Sequence, residues 1–209
     1  MIEETNTAII IIENATQLFL TRGFKSVTMD DLAAEMGISK KTIYVNFKNK
    51  SSLVKSVAEH LFEVISSGID KIRSQNLNPI EELFVINDFV LINLKNEGSS
   101  PQYQLQKYYP KIHENFSERQ FTVAHECILE NLETGKSLGL FRKDINAEVI
   151  SRIYFLIITG TKNQELFPKS EFPAYQLIPT YLEYHLRGIA TEKGLQILEE
   201  VQQKRMNNK

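Results

Sequence analysis

Five lysines, Lys40, Lys41, Lys48, Lys50 and Lys55, fall between Glu35 and Glu59 with no carboxylate among them. Each is a point cation with three donors, and a run of them without internal acid partners suits phosphate oxygens. Groups of another kind are interleaved. Thr42 and Asn46 can hydrogen-bond base edges, Val45 can pack on a thymine methyl, and Tyr44 adds an aromatic hydroxyl. The chemistry implied is recognition of duplex nucleic acid, with cations and hydroxyls setting register and the shorter side chains reading sequence.

Such groups act only if a short rigid element holds them outward. Apolar spacing of three and four dominates this chain, and strand signals are poor. Ile11, Ala15, Leu18 and Phe19 share one face of a helix predicted over roughly residues 6–22, which Gly23 ends in a left-handed cap. Thr28 caps a second helix with Asp30 and Asp31 in its first turn, with Leu32, Ala33 and Met36 facing inward and Gly37 stopping it. Ser39 caps a third, "KKTIYVNF", anchored by Ile43 and Phe47 four apart, and Asn49 caps a longer fourth. Two short helices across a Gly-containing turn make a helix-turn-helix. With Ile43 and Phe47 inside, Lys40, Lys41, Thr42, Tyr44, Val45 and Asn46 cannot all face the core.

Composition sets the frame. The 209 residues are 42% hydrophobic and 24% charged, as in ordinary globular proteins, with a net charge of −2. Without the five clustered lysines, 19 basic residues stand against 26 acidic ones, so a local positive patch sits on a negative body. That excludes a protein coating nucleic acid indiscriminately. The single Cys127 permits neither an intrachain disulfide nor a cysteine-rich zinc module. The apolar run "AIIII" is too short for a signal-peptide core or a membrane span, so the expectation is a cytoplasmic chain without membrane attachment.

The stretch "IIENATQLFLTRGFKSVTMDDLAAEMGISKKTIYVNFKNKSSLVKSV" resembles the N-terminal DNA-binding domain of TetR-type bacterial transcriptional regulators, over about 47 residues. The pattern "F..RGF..VTM.DLA...G.SK.T.Y.NFK.K..L" carries the resemblance, through the spacing of Gly37, Tyr44, Phe47 and Lys50. It implies an all-α protein: residues 1–50 form a three-helix DNA-binding domain, a fourth helix over 50–73 connects, and 51–209 form a helical bundle for effector binding and dimerisation. It further implies that Thr28, Tyr44 and Lys50 touch phosphates, while Lys40, Lys41, Thr42, Val45 and Asn46 face bases or adjacent backbone, with Lys48 in the same basic block. Val45 and Asn46 depart from the commonest pattern, where relatives carry an aromatic and a histidine.

The second half is punctuated by "SQNLNP" at Ser74–Pro79 and "NEGSSP" at Asn96–Pro101. Helices are predicted over "IEELFVINDFVLINLK", "PQYQLQKYYPKIHENF" (bent or restarted by Pro110), "SERQFTVAHECILENLETGKSLG", "NAEVISRIYFLIITG" and "PAYQLIPTYLEYHLRGIA", with a short amphipathic "LQILEEVQQK" last. Of 20 aromatic residues, 16 lie after residue 60, enough to wall an apolar pocket for a small apolar or aromatic effector. Candidate lining residues are Phe84, Asn87, Asp88 and Leu91 on one face, Phe121, His125 and Ile128 on another, and Tyr109, His113 and Tyr154. Ile150, Ile153, Tyr154 and Ile157, with Ile178, Leu182, His185 and Ile189, form stripes that the resemblance implies pair with their copies in a homodimer. There is no Gly-rich phosphate loop, nucleophile elbow or His-Glu-x-x-His motif, so neither catalysis nor a cofactor or metal is expected. The reading reached is a sequence-specific transcriptional repressor released from operator DNA by a small molecule. Its rivals are an activator or DNA-organising protein without an effector, and a module whose lysines serve an acidic protein.

Overall fold

Where the sequence repeats apolar residues at three and four, the chain coils. Among the described residues of the computed structural model, 2–94 and 101–207, with the backbone alone for 2–5, 101 and 102, there are ten helices. They are α1 (Ile2–Arg22), α2 (Met29–Met36), α3 (Lys40–Asn46), α4 (Lys50–Arg73), α5 (Pro79–Asn93), α6 (Pro101–Tyr108), α7 (Pro110–Ser137), α8 (Ala147–Gly160), α9 (Ala174–Ile189) and α10 (Glu192–Asn207). The only β pairing among these residues is an isolated antiparallel bridge between Phe141 and Ala190. The fold is all-α, as the spacing requires.

The punctuation acts as its chemistry dictates. Thr28 Oγ1 accepts from the Asp31 amide at 3.1 Å while Asp31 Oδ2 accepts from the Thr28 amide at 2.8 Å, a reciprocal box that satisfies donors a helix start leaves orphaned. Gly37 stops α2 at φ +63°, a left-handed conformation that costs glycine nothing. Asn78 accepts from the Ile80 and Glu81 amides, and Pro79 takes the first helical position of α5, where a missing N–H is harmless.

Three predicted boundaries shift. α1 begins at Ile2, before residue 6, and α10 exceeds its predicted extent at both ends. Pro110 restarts the chain as expected, but no break follows at Ser117: α7 runs unbroken from Pro110 to Ser137 because polar Ser117, Glu118 and Arg119 suit a helix face as well as a loop. The "NEGSSP" break lies outside the described residues, except for Pro101, where α6 begins.

The chain packs as two compact units, 1–65 with 97–119, and 66–96 with 120–209. This division differs from a single cut at residue 50. In the first unit a core of Ile11, Phe19, Phe24, Leu32, Ile43, Leu53 and Val57 is extended by Leu105, Tyr109 and Ile112 from α6 and α7. These three apolar residues join the first helices although the sequence places them beyond both α4 and α5. In the second unit Ile80, Leu83, Phe84, Leu132, Phe141, Leu182, Leu186 and Leu198 form a separate core.

Candidate nucleic-acid interface

The outward face is made by what is buried beneath it. Ile43 is fully buried and Phe47 nearly so, which at roughly 2 kcal/mol per side chain pins α3 against the first unit's core. Ser39 Oγ accepts from the Thr42 amide at 3.1 Å and fixes where α3 starts. The opposite side must then face out: Val45 is 69% exposed, Tyr44 is 44% exposed, and Lys41 and Lys48 are exposed without an ion pair among the described residues. An exposed Val in the last turn of a seven-residue helix has no packing role, whereas a groove lined with thymine methyls would cover it.

The other candidates are placed less simply. Thr42 is half-buried with its hydroxyl 2.8 Å from Ser39 Oγ, and the half-buried Asn46 donates its Nδ2 to the Thr42 carbonyl at 2.9 Å. Thr28 is exposed, but its hydroxyl serves the α2 cap, and this bonding holds Asp31 below the usual carboxylate range. The absence of carboxylates near the lysines is a property of the sequence that folding removes in two places. Asp30 accepts from Lys40 Nζ at 2.8 Å, raising the lysine's pKa, and Glu59 lies 3.9 Å from Lys55. Lys50 is half-buried, donates from Nζ to the Lys25 carbonyl at 3.0 Å and lies 5.9 Å from the Phe19 ring centroid; burial lowers its pKa. It ties the start of α4 to the loop after α1. Sequence spacing could not separate this tie from a phosphate contact.

Residues 11–57, the span of α1 to α4 that builds this face, match the profile of the "Bacterial regulatory proteins, tetR family". Those residues form a TetR-type DNA-binding domain. The chain is 22% identical over 187 residues to the HTH-type transcriptional repressor KstR2 of Mycolicibacterium smegmatis (strain ATCC 700084 / mc(2)155), covering 88% of this chain and 91% of that one. A solved TetR-family transcriptional regulator from Agrobacterium tumefaciens superposes with a TM-score of 0.72 at 18% identity, over 90% of this chain and all of the other. A solved SmeT–triclosan complex gives a TM-score of 0.63 at 13% identity, over 90% and 93% of the two chains. With this domain the protein is a DNA-binding transcriptional regulator.

In its second unit, part of the predicted effector set converges. Asn87 and Tyr154 are buried, and Asn87 Nδ2 donates to the Tyr154 hydroxyl at 2.6 Å. Tyr154 packs on Tyr181 and on His185, with ring centroids at 5.9 and 5.4 Å, while buried Phe84 and Ile128 and half-buried Leu91 belong to the surrounding core. His185 Nε2 is buried without a hydrogen-bond partner, and burial pushes the imidazole from 6.5 down to about 4. Phe121 and His125 form a second group: their rings stack at 5.3 Å, Phe121 meets Phe155 edge-on, and His125 Nδ1 lies 2.8 Å from Ser151 Oγ. Asp88 is paired within the chain: Arg205 holds both of its oxygens and lies over the Phe84 ring. Tyr109 and His113 belong to the first unit instead; Tyr109 packs on that core and His113 contacts Ser117.

The predicted association stripes require a correction. Ile178, Leu182, His185 and Ile189 are buried within the chain's own second unit, as is Tyr154, so they cannot face a copy. α8 and α9 are apolar on more than one side, and periodicity does not say which side the monomer uses. Ile150 and Ile157 are half-buried against that core, and Ile153 alone of the set is exposed. The outward apolar side chains are Ile153 with Val149 and Leu156 on α8, and Tyr184 on α9, of which Val149, Leu156 and Tyr184 were missed in the sequence; Leu156 and Tyr184 are 68% and 78% exposed.

Proposed function

We propose that the protein is a cytoplasmic homodimeric repressor that leaves its operator when a small apolar or aromatic molecule binds the second unit. The exposed Val45 on a helix locked from below, with Lys41 and Lys48 nearby in sequence and in no ion pair among the described residues, carries the DNA reading. In that reading Lys41, Lys48, Tyr44 and Thr28 hold phosphates, while Val45, Thr42 and Asn46 meet bases or adjacent backbone, with Lys40 and Lys50 supporting from their ties to Asp30 and the Lys25 carbonyl. The exposed apolar side chains of α8 and α9 support a twofold partner, which two groove-reading helices need. The unsatisfied His185 Nε2 beside Tyr154, Tyr181 and Asn87 supports a polar anchor for the effector within apolar walls. Two named similarities agree with this: one relative is called a repressor, and the SmeT structure contains triclosan. The helix α4, with residues in both units, is the covalent route for coupling, and about 3 kcal/mol of differential affinity suffices for a roughly 150-fold loss of operator binding.

Selection of preferred duplexes from a random pool tests the first half. Lys48→Ala is expected to weaken binding to every duplex alike, and Val45→Ala to change which base pair is preferred. Identical behaviour of the two variants would refute the assignment. Titrating apolar and aromatic compounds against the selected duplex tests the second half; if none alters affinity, the reading without an effector replaces it.

A further inference from the structure

A second basic cluster lies in the first unit, away from α3 in sequence. α6 runs close beside the loop after α1: Gln104 Oε1 accepts from the Lys25 amide at 3.2 Å, and a Cβ at Gly23, where φ is +88°, would stand 2.5 Å from Gln104 Nε2. Outside this junction Lys25 Nζ lies 4.9 Å from the Tyr108 ring centroid, and Lys107 Nζ lies 5.4 and 5.7 Å from those of Tyr103 and Tyr108. Lys107 also donates to the Tyr103 hydroxyl at 3.2 Å. All four side chains are exposed, and neither lysine makes an ion pair among the described residues. Between Glu97 and Glu114 the charged residues are Lys107 and Lys111 alone, the same acid-free pattern that marks the segment around α3. The loop that carries Lys25 also provides the carbonyl held by Lys50, so the cluster adjoins the start of α4.

We propose that Lys25, Lys107, Tyr103 and Tyr108 form an additional contact to duplex DNA, on the sugar–phosphate backbone outside the base pairs met by α3. Aromatic faces hold the two ammonium groups in place, which lowers the entropy lost when a phosphate is bound. The tyrosine hydroxyls add donors to phosphate oxygens, and the cluster itself holds no carboxylate to repel them. Such contacts carry no sequence information; they lengthen the footprint and raise affinity for any flank.

The inference rests on the DNA-binding reading, and one experiment separates the two. Binding of the full chain to its selected duplex, with long flanks, is followed across a salt series. The double variant Lys25→Gln/Lys107→Gln is expected to bind about tenfold more weakly at moderate salt, with the slope of log K against log salt shallower by about 1.8, since each lost phosphate contact removes about 0.9. Sequence preference should not move, the arginine pair Lys25→Arg/Lys107→Arg should restore the slope, and trimming the flanks should make wild type and variant equal. An unchanged slope and affinity in the double variant, while Lys48→Gln weakens binding, overturns this contact and leaves the DNA reading standing. A wild-type chain that selects no duplex overturns both.

Discussion

At the scale of single residues, the polar groups inside the second unit set its response to acid. His185 is buried against Tyr154 and Tyr181 and its pKa is pushed down to about 4. Below the ordinary value of 6.5 the unfolded chain takes up a proton that the folded chain refuses, so this residue's contribution to stability is intact above 6.5 and is lost as pH falls from 6.5 toward 4. The loss amounts to at most about 3 kcal/mol. Urea unfolding at pH 7 and pH 4.5 is expected to show a smaller fall in midpoint for His185→Gln than for the wild type. Thr28 presents a second case: Thr28→Ala removes the reciprocal bonds with Asp31 and should cost about 1 kcal/mol, a drop of about 2–4 °C in Tm by calorimetry.

At the scale of elements, helix ends and close approaches decide what may vary. α7 passes so near the following turn that a Cβ at Gly135 would lie 2.0 Å from Phe141 Cδ2, and Phe141 is a fully buried ring of the second core. Gly135→Ala must displace that ring, with an expected cost of about 1–3 kcal/mol in chemical denaturation. By contrast, Gly139→Ala meets no neighbour within 4 Å; its φ of +69° alone strains it. The sequence marked most element ends, because capping depends on neighbouring residues: Thr28, Gly37, Ser39 and Asn78 each stand where their side chain or conformational freedom is used. It failed at Ser117, where nothing local distinguishes a polar helix face from a break.

At the scale of the whole molecule, association and DNA binding are coupled expectations. Leu156→Glu with Tyr184→Lys alters only outward side chains of α8 and α9, so the monomer's core should survive. Sedimentation is expected to show a monomer, with secondary structure retained and selective operator binding lost, because one recognition helix alone cannot span two half-sites. A variant that stays dimeric would place the interface elsewhere. The outward side chains of α3 were largely legible from residue types, since a helix of known start and known buried anchors leaves few orientations for the rest. The positions of the residues proposed for effector binding and association were not legible. Phe84, Asn87, Ile128 and Tyr154 meet in one core, Phe121 and His125 in another cluster, and Asp88 is taken by Arg205, a residue 117 positions away.

Local chemistry determined the all-α class, the caps of the helix-turn-helix and the outward side of α3, because each depends on residues within about two turns of one another. Tertiary structure alone decided that Lys40 is paired with Asp30, that Lys50 is a tie rather than an open cation, and that Ile178, Leu182, His185 and Ile189 face inward. Pairing and burial depend on which distant surfaces the chain brings together, and spacing along a helix is the same whichever of its apolar sides the fold covers.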